Sequence, residues 1–204
     1  MGFVILGMFS FTEMGMQGAL YQMLNHGVST GALFLLVGFI YERRHTRRIA
    51  DFGGLANVMP LYATIFVITT MSSIGLPFLN GFVGEFLIMI GMWNSHALNT
   101  VGTNWNHIAT MLAGTGVIFA AVYLLWMVQR VFFGKVTNAQ NKRLTDLSWR
   151  EIGLIAPLVL LMVFMGVYPA PFLNRSQESV AAIQQRVSGQ EKGGTITEVT
   201  EQHK

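Results

Sequence analysis

Ten acidic residues are spread along the chain, and nine of them fall in loops, near helix ends or in the tail. The exception is Glu85, set in the apolar run Gly81-Phe82-Val83-Gly84-Glu85-Phe86-Leu87-Ile88. Placing a carboxylate in a low-dielectric slab is costly, so an acid there reads first as part of an ion or proton path. A carboxyl held between desolvation and local hydration can take up and release a proton. The other reading is a structural glutamate near a membrane interface, satisfied by irregular backbone. Gly75, Pro77 and Gly81 lie just before the acid and favour the first reading. Discontinuous helices recur at the ion sites of transporters.

His26 is the second candidate. It is the one histidine deep within an apolar segment, and Gln22, Ser29 and Thr30 stand four, three and four residues from it. Those offsets place all four on one helical face. Such a polar stripe suits ordered water, and a histidine titrating near neutral pH suits a relay. The alternative is a hydrogen-bonded histidine at a helix contact, because Gly27 and Gly31 form a pair of small residues that permits close packing. His45, His96, His107 and His203 lie in loops, near span ends or in the tail and read as solvated. No histidine pairing has metal-site spacing, so no metal ligand is assigned. No glycine-rich phosphate loop joins a strand to a helix, so no cofactor site is assigned either.

These residues need long apolar helices to hold them. Of 204 residues, 52% are hydrophobic and 11% charged, against about 25% charged in a soluble domain. Several uncharged stretches reach the roughly 20 residues that a bilayer core requires. The pattern predicts an all-α integral membrane protein. It has about four full transmembrane helices plus a truncated first one, and one helix is broken. Residues 1–10 read as the end of a helix. Complete spans follow at about 15–41, 61–93, 108–133 and 152–168. Ser10 and Glu13 form a capping-box pattern ahead of the first. Pro60 suits the first turn of the next. The 61–93 stretch is too long for one span and is interrupted twice, which predicts halves near 61–75 and 80–93. Residues 171–187 repeat Leu173, Val180, Ile183 and Val187 at helical spacing. Residues 188–204 have the composition of a disordered tail.

Loop 42–59 carries four arginines and loop 130–151 five cations, whereas residues 94–107 contain no Lys, Arg, Asp or Glu. Positive loops stay on the cytoplasmic side. The two basic loops are separated by two spans, so both fall on one side. Their charge reads as a topology signal and not as a nucleic-acid surface. The absence of cysteine excludes a disulfide framework, a thiolate zinc site, a cysteine-ligated iron–sulfur cluster and a cysteine nucleophile.

A family resemblance rests on three stretches. The first is His26-Gly27-Val28-Ser29-Thr30-Gly31-Ala32-Leu33-Phe34 with Tyr41-Glu42-Arg43 and His45-Thr46-Arg47. The second is Asp51-Phe52-Gly53-Gly54-Leu55, and the third joins Ser73-Ile74-Gly75-Leu76-Pro77 to Gly81-Phe82-Val83-Gly84-Glu85-Phe86. Together they resemble the antiporter-like, proton-pumping subunits of respiratory NADH:quinone oxidoreductase (complex I), in their M-type branch (subunit 4). The detailed likeness covers about residues 1–95, and the rest agrees in span pattern. The resemblance implies a fourteen-helix fold with two inverted five-helix repeats, each with one broken helix, of which this chain would supply the last five helices. Glu85 would match the terminal acid near the outward exit of the proton channel. The related L and N chains carry lysine there. His26 would match the histidine of the central hydrophilic axis.

The family's first repeat, with its glutamate–lysine pair and central lysine, has no counterpart in the sequence. The expectation is therefore a fragment of a longer reading frame or one part of a split subunit. The resemblance implies a translocase subunit in a bacterial inner membrane, with the L and N chains and lipid as neighbours. No redox centre falls in this chain. NADH, FMN, iron–sulfur clusters and quinone would belong to partner subunits. The alternatives are a multisubunit cation/proton antiporter, a membrane-bound hydrogenase, or a truncated scaffold that assembles without pumping.

Overall fold

A computed structural model describes residues 1–99, 104–136 and 138–187. The tail at 188–204, expected to be disordered, lies outside the described residues, as does the side chain of Val187. The elements are α1 (Gly2–Met8), α2 (Glu13–Arg44), α3 (Pro60–Ile74), α4 (Asn80–Trp93), α5 (Trp105–Phe132), α6 (Trp149–Val167) and α7 (Ala170–Val187). Short 3-10 turns at Ile49–Asp51, Leu55–Asn57 and Ala139–Arg143 shape the two basic loops. Among the described residues three helices, α2, α5 and α6, are long and apolar enough to cross a membrane. Helices α3 and α4 are the two halves of the interrupted stretch, and each is too short to cross alone.

Helix α2 forms the spine, with α4 along one side and α1, α3, α6 and α7 against it. Its start differs from the capping box expected at Ser10 and Glu13. Thr12 is the N-cap, and its hydroxyl accepts from Gly15 N at 3.1 Å and donates to the Gly91 carbonyl at 3.1 Å. Ser10 is bound back to Gly7 O at 2.7 Å. Glu13 is then the first helical residue and not the third, so it cannot reach back to the N-cap. The box that does form is Ser148 with Glu151, at the start of α6. Pro60 occupies the first turn of α3 as expected.

Helix α3 begins on a distant carboxylate. Asp146 accepts from Leu61 N at 2.9 Å through Oδ2 and from Tyr62 N at 3.0 Å through Oδ1. Free N–H groups at a helix start need such partners, and the helix dipole favours an anion there. Tyr62 and Phe66 of α3 pack on Phe132 of α5, with ring centroids 5.8 and 4.8 Å apart. The buried Tyr62 hydroxyl donates to Leu36 O at 3.0 Å.

The two basic loops meet on one side of the bundle. Gly54 N donates to Phe133 O at 3.2 Å and Asn141 Nδ2 to Asp51 O at 3.0 Å. The strongest tie is bidentate: Arg43, at the end of α2, donates to both Glu151 oxygens at 2.6 and 2.7 Å. The same guanidinium reaches Phe39 O at 2.9 Å and Thr145 O at 3.1 Å, and Glu151 also accepts from Ser148 N at 2.7 Å. Planar guanidinium geometry matches this set of acceptors.

Both charges are largely buried, with side chains 17% and 11% exposed. Removing one partner from a buried pair is more damaging than the pair is worth, because it strands the other. Glu151→Ala is expected to lower stability by about 3 kcal/mol, the low end for such a break, since Arg43 keeps its carbonyl partners. Thermal unfolding of the purified membrane complex measures it. A midpoint equal to that of the unsubstituted protein would show that the pair adds nothing.

Candidate functional site

The break between α3 and α4 organises the site. Thr69, Thr70 and Ser73 each return their hydroxyl to the carbonyl four residues earlier, at 2.8, 2.8 and 3.1 Å. This satisfies the hydroxyls internally and loosens the turns they occupy. Gly75 then adopts φ +83°, in the left-handed region. Leu76 N donates to Met71 O at 3.1 Å and Gly75 N to Ser72 O at 3.3 Å, which closes the helix as a Schellman motif. Pro77 follows and prevents continuation. Helix α6 covers the turn so closely that a Cβ on Gly166 would collide with the Phe78 carbonyl.

Beside the break, a cavity of about 330 Å³ opens between the helices. From the predicted residues, Gln22, His26, Ser29 and Thr30 of α2 line it, together with Gly81 and Glu85 of α4. Ser72 and Ser73 of α3 and Tyr123 of α5 complete its polar wall. The two predicted chemical groups therefore share one polar space. Pro77 is exposed and does not line it. Gly75 does not line it either but lies directly behind the acid: a Cβ there would sit 2.5 Å from Glu85 Oε2.

Glu85 is half-buried, and Gln22 Nε2 donates to its Oε1 at 3.5 Å. His26 is exposed to the cavity and its Nδ1 shares a hydrogen bond of 3.1 Å with Thr30 Oγ1. Ser29 is buried and its hydroxyl is committed to Asn25 O at 2.8 Å. Among the described residues a Cβ at Gly27 or Gly31 would meet nothing within 4 Å, and His26 lines the cavity.

Three polar residues of the site were not singled out from the sequence. Asn25, Asn80 and Ser72 are almost fully buried, at 1%, 0% and 0% exposure. Asn25 Nδ2 donates to Asn80 O at 2.8 Å and to Gln22 Oε1 at 3.1 Å, and the Ser72 hydroxyl binds Asn80 Oδ1. An asparagine within an apolar helix, three residues from Gln22, was the available signal for Asn25. Asn25 Oδ1 and Asn80 Nδ2 have no hydrogen-bond partner among the described residues. Buried polar atoms of this kind, next to a polar cavity, favour hydration. No cluster of three or more His, Cys, Asp or Glu residues is placed for a metal among the described residues.

Broken helices that bring polar groups to the break recur at the ion and substrate sites of membrane transporters. Residues 1–110 match the family described as "NADH:quinone oxidoreductase/Mrp antiporter, TM", more than half of the chain. The chain belongs to that family. It is 45% identical over 174 residues to "NADH-quinone oxidoreductase subunit M" of Rickettsia prowazekii (strain Madrid E), a match taking in 85% of this chain and 33% of that protein. It is similar to a chain in the structure "Respiratory complex I from Thermus thermophilus with bound NADH". There the TM-score is 0.78 at 34% identity, over 91% of this chain and 37% of that one. A chain of the Mrp complex from Dietzia sp. DQ12-45-1b shares the fold, with a TM-score of 0.73 at 21% identity over 92% of this chain and 41% of that one. The chain spans about a third of the length of the curated relatives it matches.

Gly75→Ala tests the contact behind the acid. Left-handed backbone costs a residue with a Cβ about 1–2 kcal/mol, and here the new methyl also displaces the Glu85 carboxyl. Gly134→Ala is the control, because Gly134 also has positive φ, +89°, but open space around it. Both variants are expected to lose similar stability by thermal unfolding, and Gly75→Ala alone to change the labelling of the Glu85 carboxyl by a carbodiimide. Equal labelling in the two would remove Gly75 from the site.

Proposed function

We propose that this chain is the C-terminal part of an M-type, proton-translocating membrane subunit of NADH:quinone oxidoreductase. The observation that carries the reading is the convergence of Glu85, Gln22 and His26 on one polar cavity at a helix break. The 45% identity to a subunit M supports the redox-linked version of the fold. In this reading protons move vectorially, driven by electron transfer from NADH to quinone in neighbouring subunits. NADH, FMN, iron–sulfur clusters and quinone bind in those subunits, and this chain holds no cofactor. His26 relays protons laterally along the hydrophilic axis, and Glu85 gates their release outward. Antiporter-like L and N chains are its membrane neighbours, in a bacterial inner membrane. The contacting basic loops, 42–59 and 130–151, face the cytoplasm under the positive-inside rule.

A second reading is cation/proton antiport without redox chemistry, favoured by the fold shared with the Mrp chain. The two separate cleanly in membrane vesicles containing the native complex. Redox-linked pumping gives acidification that needs NADH and is indifferent to sodium. Antiport gives a sodium-dependent pH gradient with no NADH present. Within the redox reading, Glu85→Gln keeps the shape and hydrogen bonding of the side chain but cannot carry a proton. It is expected to lower the number of protons moved per electron while the complex stays assembled. An unchanged ratio would exclude Glu85 from the path.

A further inference from the structure

Amide side chains look symmetrical, and their orientation follows only from an anchor of fixed polarity. The break supplies one. Asn80 O is a backbone carbonyl and can only accept, so the Asn25 atom 2.8 Å from it is the amide nitrogen. That nitrogen also stands 3.1 Å from Gln22, so the Gln22 atom facing it is the oxygen. Gln22 is left with its N–H turned to Glu85 Oε1, at 3.5 Å. The chain of bonds thus has a direction, from the carbonyl at the break to the carboxyl, and each link fixes the next.

Asn80 belongs to both sides of the discontinuity. Its carbonyl holds α2 through Asn25, and its side chain holds α3 through Ser72. It is itself the first residue of α4. A shift of α4 against α3 at the break moves the anchor carbonyl. Once Asn25 is released, Gln22 can rotate and present its oxygen to Glu85 instead of its N–H. An oxygen facing Glu85 repels a carboxylate and accepts from a protonated acid. The last link, at 3.5 Å, lies at the edge of hydrogen-bonding range. Small movements there make or break it.

We propose that Asn25 is a positioning residue that fixes the Gln22 amide with its N–H toward Glu85, so that proton binding at Glu85 follows the conformation of the helix break. The inference rests on the reading of Glu85 as a proton carrier. The proton itself arrives on and leaves from the carboxyl, and neither amide gains or loses one. Among the described residues, the other titratable side chains lining the same cavity are His26 on α2 and Tyr123 on α5, whereas the polar groups of α3 there are the hydroxyls of Ser72 and Ser73.

The test uses the assembled complex in vesicles, with protons moved per electron followed across pH. Asn25→Leu and Gln22→Met are near-isosteric and remove, respectively, the orienting group and the donor. Each is expected to move the half-maximal pH of translocation upward by about one unit, the tenfold change in proton affinity that a lost charge-assisted hydrogen bond produces. The double variant should match Gln22→Met alone, because Asn25 acts only through Gln22. Additive shifts, or an Asn25→Leu profile matching that of the unsubstituted complex, would overturn the proposal. Should Asn25→Leu fail to assemble, Asn25→Ser carries the same expectation: its hydroxyl can serve the Asn80 carbonyl but cannot hold Gln22. Glu85→Gln runs alongside. Full pumping in Glu85→Gln sinks the underlying reading, whereas loss of pumping there with unshifted Asn25 and Gln22 profiles sinks this inference alone.

Discussion

Between Ile74 and Asn80 the chain gives up its own helical hydrogen bonds inside an apolar segment, and most of the architecture answers that one constraint. Unsatisfied backbone at membrane depth costs several kcal/mol per group. The Schellman closure at Gly75 takes up carbonyls of α3, Asn25 ties α2 to the start of α4 through the Asn80 carbonyl, and Gly166 lets α6 cover the turn. Each device brings polar or small residues to the same depth. The polar cavity is the other face of that requirement: a bundle that must keep hydrogen-bonding groups here has also made a place where water and a carboxyl can reside.

The opposite end of the bundle is built on different terms. Arg43 and Glu151 lock α2 to α6, and Asp146 anchors the start of α3. These are charge-assisted, multiply bonded contacts, stronger than the neutral amide and hydroxyl links around the break. Any relative movement of the helices is therefore expected to concentrate at the break and not at the loops. Rigid support at one end and weak, reversible links at the other would suit the proposed proton site at Glu85.

Much of this was legible in the sequence, because its signals are local. Long uncharged runs fix the spans, Gly75-Leu76-Pro77 ends a helix, and a lone acid in an apolar run marks Glu85. The his–gln–thr stripe follows from helical spacing alone. What stayed hidden depends on partners far along the chain. Asp146 capping α3 and Glu151 receiving Arg43 are long-range contacts with no local mark. Asn25 and Asn80 looked like ordinary polar residues until the structure set one against the carbonyl of the other. Ser10 and Glu13 had the spacing of a capping box, but Thr12 sits within reach of both Gly15 N and Gly91 O and takes the position. Gly27 and Gly31 had the spacing of a packing seam, yet spacing cannot say whether a neighbour is there.

The committed side chains also limit how a proton can pass between His26 and Glu85. Ser29 lines the same cavity, but its hydroxyl is bound to Asn25 O. Gln22 reaches the acid and Asn25 reaches Gln22, but amides have no proton to hand on at neutral pH. In the proposed function His26 and Glu85 would be the terminals of a path whose middle is water, for which a cavity of about 330 Å³ has room for several molecules. Conduction then depends on whether that water is continuous, and the amides that orient the carboxyl are the same groups that line the space. Holding the acid and wetting the path are one problem in this fold, solved by polar residues that a purely structural helix contact would not need.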